Sequence, residues 1–519
     1  MTVALPPLHP FVGMDLTTAL EQRAAARSAH PFVVWEPPDG ERAVWTYTEF
    51  ERDVRATAAG LTSRGIVEGD AVIIHLENCP AFLLTLFACA RIGAVAVDLN
   101  TRYVDDELAH AIGLTGARGM VTDPRFGLAD GPAASTLEWV LELDGATGLV
   151  PELAGNPDAA PRCDVDPGRP LCVQLTSGTT ARPKAVLYTH ANGLWGGKVG
   201  AAHWSLDAET VQFVYAPLFH TLALSWETLA TFWVGGTVVV VPKFSASRFW
   251  DVSMRNGCTH TNLLPVMMRA LATQETPVHS YRSWSFGLEM PAIEKAFGIR
   301  LFNAYGMTET VTEVIIGDLH VWEEDGAIGR PAPEYRLRVV RDDGTDVAPG
   351  ETGDLLVGGV RGLSLFAEYL NDPVATADAF DEHGYFRTGD RVTVLPSGAL
   401  RFASRAKDML KVSGENVAAA EIERVITAVP GVVESGVVGR PDPQFDEVAV
   451  AFVVVDGAAD GDEDALRTAI LQACEASLAD FKVPRDVYFV PELPRATLDK
   501  VAKATLREWA RERHATPDP

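Results

Sequence analysis

Residues 176–186 read TSGTTARPKAV and directly follow an apolar run that contains Leu171, Cys172, Val173 and Leu175. A strand that ends in such a turn presents backbone N–H groups and hydroxyls to an anion. Lys184 adds a positive charge, and the hydroxyls around Gly178 belong to Thr176, Ser177, Thr179 and Thr180. The stretch therefore favours a phosphate, and with it a nucleotide, as the first ligand to consider. An ordinary surface turn is the alternative for the loop taken alone.

The stretch does not match a Walker loop. That pattern has a glycine directly before its lysine and a serine or threonine directly after it. Here Lys184 stands between Pro183 and Ala185. A P-loop NTPase is therefore not favoured.

The composition is that of a globular protein with several structural units. The chain has 519 residues, of which 47% are hydrophobic and 22% are charged, and its formal net charge is −26. Such a length exceeds one ordinary core, and the negative charge argues against a nucleic-acid groove. Free nucleotide is still compatible, because a few local cations can override the overall sign.

Neither a metal framework nor a membrane segment is predicted. The six cysteines form no CxxC pair, which is typical of a reducing compartment. The N-terminal residues lack a basic start followed by an apolar core. The apolar residues 232–241 are interrupted by Gly235 and Gly236 and are too few to cross a bilayer. These features predict a cytoplasmic enzyme without membrane insertion.

Strands and helices alternate over the first two thirds of the chain. This alternation predicts open α/β sheets with helices on their faces. The predicted strands are 71–76, 94–99, 211–216 and 237–241, and the predicted helices are 81–92 and 222–233. Residues 129–169 are rich in glycine, proline, alanine and aspartate and indicate a variable connection.

The last third of the chain changes character twice. Short segments separated by Asp-Gly and Pro-Gly turns over residues 336–357 predict a small β-rich unit. Beyond residue 406, predicted helices at 419–429 and 463–478 and strands at 432–438 and 448–455 make a compact α+β segment. We therefore predict a large N-terminal domain, 1–406, and a small C-terminal domain, 407–519.

Residues 303–310 read NAYGMTET and follow the predicted strand 299–302. The ring of Tyr305 can stack on a base, the hydroxyl of Thr308 can bind a phosphate, and the carboxylate of Glu309 can hold Mg²⁺. A helix N-terminus capped by Thr308 or Thr310 is the alternative.

Three further groups are weak signals by themselves. In YFRTGD, Asp390 follows a glycine turn and can accept two ribose hydroxyls, although a plain turn explains it equally. Arg405 can bind a ribose or a phosphate. Lys500 taken alone is typical of a surface charge, and His220 is typical of a structural histidine. Glu421 and Glu423 are expected to face solvent.

Together and in this order, these motifs resemble the adenylate-forming enzymes, which comprise acyl-CoA synthetases, beetle-type luciferases and peptide-synthetase adenylation domains. The resemblance covers residues 46–507. Residues 244–271 look most like the branch of carnitine- and short- to medium-chain acyl-CoA ligases. It implies a mobile C-terminal domain and two half-reactions: a carboxylic acid attacks Mg-ATP to give acyl-AMP and pyrophosphate, and a thiol, usually that of CoA, then displaces AMP.

The resemblance also implies roles for individual residues. It assigns ATP or AMP contacts to Thr176, Ser177, Gly178, Thr179, Thr180, Lys184, Asn303, Ala304, Tyr305, Gly306, Met307, Thr308, Asp390, Arg405 and Lys500. It assigns Mg²⁺ to Glu309 and Thr176, and catalytic roles to Lys500, Thr308, Glu309, His220 and Lys184. Lys407 takes the hinge position, and the CoA arm is expected beside Ser413, Gly414 and Glu415.

The acid pocket is expected to be apolar. The resemblance points to His220, Trp226, Trp233, Phe286, Gly287 and Leu288, and we add Trp284 as a bulky neighbour. Amino-acid-activating members carry an aspartate near His220, whereas the first acidic residue after His220 is Glu227. An amino-acid substrate is therefore the less favoured alternative, because its ammonium group would be buried without a partner.

The chain departs from the family pattern at four positions. Alanines 181 and 185 replace glycines, and Glu289 and Asp499 stand where the family has small residues. Four alternatives therefore remain beside a complete acyl-CoA synthetase: thioester formation only, loading of an acyl carrier protein, amino-acid activation, and an inactive ligand-binding relative. A homodimer is compatible with the sequence.

Overall fold

The computed structural model describes residues 2–39, 41–143, 152–176, 183–285, 291–321, 326–405, 409–455, 463–494 and 501–515. The side chains of residues 265, 266, 291, 292, 404, 405, 416, 514 and 515 lie outside this description.

The strands fall into five sheets. In chain order they are β1 (Pro31–Trp35), β2 (Ala43–Thr46), β3 (Ala71–His75), β4 (Val95–Asp98), β5 (Gly119–Thr122), β6 (Trp139–Glu142), β7 (Pro170–Thr176), β8 (Lys184–Thr189), β9 (Val211–Val214), β10 (Thr237–Val240), β11 (His260–Asn262), β12 (Ser283–Ser285), β13 (Arg300–Phe302), β14 (Ala304–Gly306), β15 (Glu313–Ile316), β16 (Arg330–Pro331), β17 (Arg336–Val340), β18 (Thr352–Gly358), β19 (Glu368–Tyr369), β20 (Tyr385–Val394), β21 (Leu400–Arg405), β22 (Met409–Val412), β23 (Glu415–Ala418), β24 (Val432–Asp442), β25 (Asp446–Val455) and β26 (Asp486–Phe489).

The helices connect these strands and cover their faces. They are α1 (Leu16–Ala26), α2 (Tyr47–Ser63), α3 (Pro80–Ile92), α4 (Asp105–Thr115), α5 (His190–His203), α6 (Ala230–Val234), α7 (Ala246–Asn256), α8 (Pro265–Leu271), α9 (Pro291–Phe297), α10 (Pro373–Asp378), α11 (Ala419–Thr427), α12 (Glu463–Ser477) and α13 (Lys503–Ala515). A π-helical segment, Leu222–Leu229, precedes α6, and the 3₁₀ turns are Pro124–Phe126, Ala134–Thr136, Pro157–Ala159, Thr308–Thr310 and Asp480–Lys482.

Two large sheets dominate the N-terminal part. The first has the order β19-β8-β7-β4-β3-β5-β6 and the second has the order β13-β12-β11-β9-β10-β1-β2. Both are parallel except at the pairs β19–β8, β8–β7 and β1–β2. Smaller antiparallel sheets, β14-β15-β16 and β17-β18-β20-β21, follow. The predicted α/β class and the β-rich unit are thereby confirmed.

The core between the two large sheets is built around α3. Every residue of this helix is buried, as expected of a helix that is apolar on all sides. Phe87 of α3 packs against Phe32 of β1 and Phe50 of α2, and Phe232 of α6 joins the same ring cluster. The helix thus joins the first sheet, on which it packs, to the second.

The C-terminal residues form a compact α+β unit. Its sheet has the order β23-β22-β25-β24, and β26 adds to β25. Helices α11 and α12 contribute Ile422, Ile426 and Ile470 to one core cluster, and α13 contributes Leu506 to a second. The domain boundary at residue 406 stays a prediction.

Some expectations differ from the structure. Residues 129–169 include the edge strand β6, which glycine- and proline-rich flanks obscured. The predicted helix 222–233 is a π-helical segment followed by α6. The expectation that Glu421 and Glu423 face solvent is wrong, because Lys482 pairs with the buried Glu421 and Lys503 bonds Glu423.

The cysteines and the apolar helices can be examined in the structure. All six cysteines are free thiols. Within the part of the chain that the structure describes, no helix is long and apolar enough to cross a membrane.

Candidate active site

The predicted phosphate loop follows β7 and precedes β8, which are neighbouring antiparallel strands of the first large sheet. Thr176 ends β7 and stands opposite Lys184, the first residue of β8. The Thr176 hydroxyl oxygen is buried and has no hydrogen-bond partner within the described ranges. Ser177, Gly178, Thr179, Thr180 and Ala181 lie outside the described residues.

Ala185 is an ordinary strand residue. It pairs with Leu175 and its side chain is buried in the core cluster under the first sheet. It is not among the residues with a positive φ angle. Its methyl group therefore contributes to the core and requires no strained backbone.

Tyr369 links Lys184 to Glu309. The Lys184 ammonium lies 4.3 Å from the centroid of the Tyr369 ring. The Tyr369 hydroxyl donates to Glu309 Oε1 at 2.8 Å. Burial raises the pKa of Glu309, although the Tyr369 hydrogen bond and the Lys184 charge act in the opposite direction. Sequence reasoning missed Tyr369, since it lies in a two-residue edge strand outside every motif.

A buried network of hydroxyl groups is hydrogen-bonded to the backbone carbonyl of Thr308. The Tyr188 hydroxyl donates to the Thr308 carbonyl at 2.5 Å and lies 3.2 Å from the Thr221 hydroxyl. Thr221 in turn donates to Gln174 Oε1 at 2.5 Å. Val311 has φ of 67°, a strained value for a β-branched residue. The backbone of residues 308–311 is thus held in a defined shape by strand β8 and the start of the π-helical segment.

Tyr305 and Asp390 come together from distant motifs. The Tyr305 hydroxyl donates to Asp390 Oδ2 at 2.6 Å. Arg405 stands opposite Asp390 in the antiparallel register of β20 and β21. Tyr305 and Asp390 are therefore hydrogen-bonded across two different sheets, and the backbone of Arg405 lies beside Asp390 in the second of these sheets.

The remaining residues of the NAYGMTET motif have mainly backbone roles. The Asn303 amide donates to the Ala327 carbonyl at 2.7 Å, and Ala304 pairs with Ile316 across β14 and β15. The Met307 N–H donates to Thr310 Oγ1 at 2.9 Å. This bond closes the 3₁₀ turn Thr308–Thr310, whose N-cap residue is Met307 and not one of the two threonines named in the capping alternative.

The Trp226 ring packs closely against Gly306 of β14. A methyl group at Gly306 would come within 2.7 Å of the Trp226 ring and of the Thr312 carbonyl. The indole N–H donates to the Val311 carbonyl at 3.1 Å. Glycine at 306 is therefore required by the close approach of an aromatic side chain and a backbone carbonyl.

Glu227 does not offer a negative charge at neutral pH. It is buried, it accepts hydrogen bonds from the Gln212 amide at 3.2 Å and from the Asn262 N–H, and burial raises its pKa to about 8. The carboxyl group is thus mainly protonated near pH 7.

The ring contacts of the other predicted pocket residues do not include Trp226 within the part of the chain that the structure describes. The ring of Trp233 packs edge-on against Phe11, and the Lys198 ammonium lies 5.6 Å from its centroid. Trp284 is fully buried among Phe249, Tyr281 and Phe297, and its place beside the pocket stays a prediction. Phe286, Gly287, Leu288 and Glu289 lie outside the described residues.

His220 meets Glu415 from the C-terminal unit. Strands β22 and β23 are joined by Ser413 and Gly414, whose φ angles are 53° and 84°. Two such residues make the tight hairpin turn that both positive angles allow. The turn places Glu415 Oε1 2.9 Å from His220 Nε2 and 3.4 Å from the Asn100 amide.

His220 and Glu415 each stabilise the charged form of the other. Burial acts to lower the pKa of His220, but the Glu415 carboxylate outweighs it and raises the pKa. Burial acts to raise the pKa of Glu415, and the charge of His220 outweighs it in turn. An imidazolium paired with a carboxylate is therefore the favoured state below the raised pKa of His220.

Both halves of the chain match sequence families. Residues 20–370 match the family of AMP-binding enzymes, and residues 421–500 match the AMP-binding enzyme C-terminal domain. The chain belongs to the AMP-binding enzyme family.

The relatives of this AMP-binding enzyme include acid–CoA ligases. Crotonobetaine/carnitine–CoA ligases of Proteus mirabilis and Salmonella arizonae are 33% and 32% identical to it, over 506 and 501 residues. Each match covers 92% of this chain and 95% of the relative. The chain is accordingly an AMP-forming acyl-CoA ligase.

Solved structures share the fold. A Mycobacterium tuberculosis fatty acyl CoA synthetase is 27% identical, with a TM-score of 0.68 over 96% of this chain and 99% of the relative. A double mutant of the Bacillus subtilis o-succinylbenzoate CoA synthetase bound with its product analogue OSB-NCoA is 24% identical, with a TM-score of 0.82 over 94% and 98%. The same synthetase in complex with AMP gives 0.66 at equal identity and coverage.

Ligases of this class use ATP, Mg²⁺ and CoA. The residues present suit them. A single carboxylate, Glu309, and the unpartnered Thr176 hydroxyl are oxygen donors of the kind that Mg²⁺ takes alongside phosphate oxygens. Lys407, Asp499 and Lys500 lie outside the described residues.

Proposed function

We propose that this ligase activates an apolar or bulky carboxylic acid with Mg-ATP and transfers the acyl group to CoA, so that it performs both half-reactions. The observation that carries the proposal is the convergence of three separate sequence motifs on one site, together with Tyr369, which belongs to none of them. Lys184, Tyr369 and Glu309 form one contact chain, and Tyr305 and Asp390 are hydrogen-bonded beside it.

The first half-reaction joins two anions, and the protein must offset their repulsion. In our proposal Lys184 and the loop after Thr176 hold the β- and γ-phosphates, and Thr308 contacts the α-phosphate. Asp390 and Arg405 bind the ribose, Tyr305 stacks on the adenine, and Lys500 bridges the acid and the α-phosphate. Bound Mg²⁺ would neutralise phosphate charge beside Glu309.

Contacts around Trp226 support an apolar acid. The Trp226 ring packs on Gly306, and Glu227 behind it is mainly uncharged near neutral pH. A substrate ammonium group would find no ready counter-charge at Glu227. Phe286, Gly287 and Leu288 complete the pocket in this proposal, and Trp233 stays a predicted member.

For the second half-reaction we propose that Ser413, Gly414 and Glu415 lie beside the CoA arm, with the C-terminal domain rotating about Lys407. The His220–Glu415 contact supports this, because it brings the hairpin to the end of the predicted acid pocket. His220 would then orient Glu415 and close one side of the pocket.

Step-resolved assays test the proposal. Pyrophosphate exchange is measured with octanoate, benzoate, cyclohexanecarboxylate, 4-(trimethylammonio)butanoate and phenylalanine, and thioester formation is measured from synthetic octanoyl-AMP and benzoyl-AMP with CoA. We expect exchange with at least one neutral apolar acid and thioester from its adenylate.

Other outcomes select the alternatives. Thioester formation without exchange would leave a specialist for the second step, and exchange with phenylalanine alone would select an amino-acid-activating enzyme. Adenylation without transfer to CoA would favour an acyl carrier protein as acceptor. Nucleotide binding without either reaction would leave an inactive relative. A cytoplasmic location and a homodimer stay predictions, which cell fractionation and light scattering check.

A further inference from the structure

A buried ion cluster lies apart from the nucleotide site. Lys482 Nζ lies 2.5 Å from Glu107 Oε1 and 2.9 Å from Glu421 Oε1. The three side chains are only 2%, 4% and 2% exposed, respectively. The ammonium also lies 5.0 Å from the centre of the Tyr103 ring. Three ionisable groups this deeply buried are unusual and call for a role beyond surface solvation.

The cluster joins distant parts of the chain. Glu107 lies in the first turn of α4, directly beyond the first large sheet, whereas Glu421 lies in α11 and Lys482 follows α12. Two exposed pairs, Arg102 with Asp480 and Arg424 with Asp106, flank the Lys482–Glu107 contact. Exposed pairs contribute little, and among these three ion pairs only Lys482–Glu107 is buried.

The Lys482–Glu107 contact is linked to Glu415 through short stretches of the chain. Strand β23 begins at Glu415 and runs directly into α11, which carries Glu421 six positions later. On the other side, Asn100 bonds Glu415 and precedes α4, which carries Glu107. The Asn100–Glu415 hydrogen bond and the Glu107–Lys482–Glu421 cluster therefore connect residues 100–107 with residues 415–421 at two points.

Each member of the pair keeps another partner if the units separate. Glu107 Oε2 accepts the Val104 N–H at 3.0 Å at the start of α4, and Lys482 keeps Glu421 within its own unit. Separation thus exposes the charges to water without leaving either one buried and unpaired. Since a buried pair is close to balance against hydration, such a contact can form and open reversibly.

We propose that Glu107 and Lys482 are positioning residues for acyl transfer to the thiol, which hold the C-terminal unit in the arrangement that brings Glu415 to His220. The proposal rests on the proposed function only for the identity of the transfer step. It agrees with the higher TM-score against the relative that holds a CoA product analogue, 0.82, than against the same relative with AMP, 0.66.

The first test measures the arrangement without substrate. In a full-length Cys163→Ser background, Arg102→Cys and Asp480→Cys are joined by a short bis-maleimide, and the rate of cross-linking is followed. Adding Glu107→Gln should slow it on the order of tenfold. The matched control is Asp486→Asn, which breaks the pair with Arg440 inside the C-terminal unit and should leave the rate unchanged. An unchanged rate in the Glu107→Gln protein would overturn the proposal.

The second test measures the reaction. Without the cysteine changes, Glu107→Gln should lower the kcat for thioester formation from octanoyl-AMP or benzoyl-AMP about tenfold and leave pyrophosphate exchange within about twofold. In the cross-linked protein the thioester rate should return to that of the cross-linked parent. Equal loss of both steps, or no rescue by the cross-link, would contradict a positioning role. If the parent forms no thioester, the proposed function fails, and the cross-linking rate still decides the inference.

Discussion

Tyr369 lies between the two charges of the proposed phosphate site, with Lys184 over its ring and Glu309 at its hydroxyl. Each contact has a distinct physical effect. The ring attracts the ammonium through its negative face, and the hydroxyl stabilises the ionised form of Glu309. A single edge-strand residue thereby contacts both the Lys184 ammonium and the carboxylate of the proposed Mg²⁺ ligand.

We expect Tyr369→Phe to shift the acid limb of the pyrophosphate-exchange profile to higher pH. Burial already raises the pKa of Glu309 and the Tyr369 hydrogen bond opposes this, so its loss raises the pKa further. A hydrogen bond that favours the ionised carboxylate lowers its pKa, so removing this bond moves the acid limb upward. The apparent affinity for Mg²⁺ should fall at the same time. Tyr47→Phe, which removes another buried hydroxyl far away, should leave the profile in place.

Gly306→Ala should impair the first half-reaction and destabilise the protein. The new methyl group would lie 2.7 Å from both the Trp226 ring and the Thr312 carbonyl. Overpacking of this kind costs about 1–3 kcal/mol. Thermal melting and nucleotide titration measure the effect. The control is Gly113→Ala in α4, where the added methyl meets open space and should be neutral or stabilising. Similar melting temperatures for both variants would show that the close approach is not a constraint.

At the scale of elements, α5 is tied to the β-rich region by charge as well as by packing. His203 at its C-terminus bonds Glu313 of β15 at 3.2 Å and Glu334 at 3.0 Å. The neighbouring Trp204 also donates to Glu313 at 2.6 Å. Although burial acts against its charge, the two carboxylates raise the pKa of His203 to about 9. Helix α5, which follows β8, is thus held by two ion pairs to Glu313 and Glu334.

This network predicts a loss of stability in mild alkali. The pKa of His203 is raised in the fold, so its stabilising charge is fully present below about pH 6.5 and is lost as the pH rises through about 9. The loss is of the order of 3 kcal/mol for a shift of about 2.5 units. Melting curves from pH 6 to 9.5 should fall less steeply for His203→Gln. The exposed His320→Gln protein should retain the wild-type slope, and equal slopes in all three proteins would refute the assignment.

At the scale of the whole molecule, the C-terminal unit lies against the N-terminal part through several contacts, among them Glu415 with His220 and Lys482 with Glu107. Both contacts depend on how the C-terminal unit is placed relative to the N-terminal part, and the hinge at Lys407 stays a prediction. The proposed roles of Lys500 and Glu415 belong to different half-reactions, and the resemblance assigns them to different placements of this unit.

We therefore expect Lys500→Ala to abolish pyrophosphate exchange but to leave thioester formation from a synthetic acyl-AMP within a few-fold of the parent. The lysine charge is needed where the acid attacks the α-phosphate, and no such repulsion arises once the adenylate exists. The two rates are measured separately on the same preparation. A comparable loss of both rates would remove Lys500 from the adenylation step, and Lys503→Ala is the neighbouring control.

The sequence by itself determined the fold class and the chemistry of the motifs. Apolar periodicity placed β3, α3, β4, β25 and α12 within a few residues of their observed bounds, because local patterning alone selects helix or strand. The residue types at Lys184, Tyr305, Glu309 and Asp390 indicated a nucleotide, since hydroxyls, cations and carboxylates at strand ends suit phosphate, Mg²⁺ and ribose.

Only the tertiary structure decided which of these groups meet. Tyr369 and Asn100 carry no motif, yet each contacts a candidate site residue because sheet pairing and helix packing bring distant segments together. Glu421 has the local sequence of a surface residue, and its burial follows from Lys482, 61 positions away. Burial, hydrogen bonding and the contact between the two units depend on long-range proximity, which no local pattern encodes.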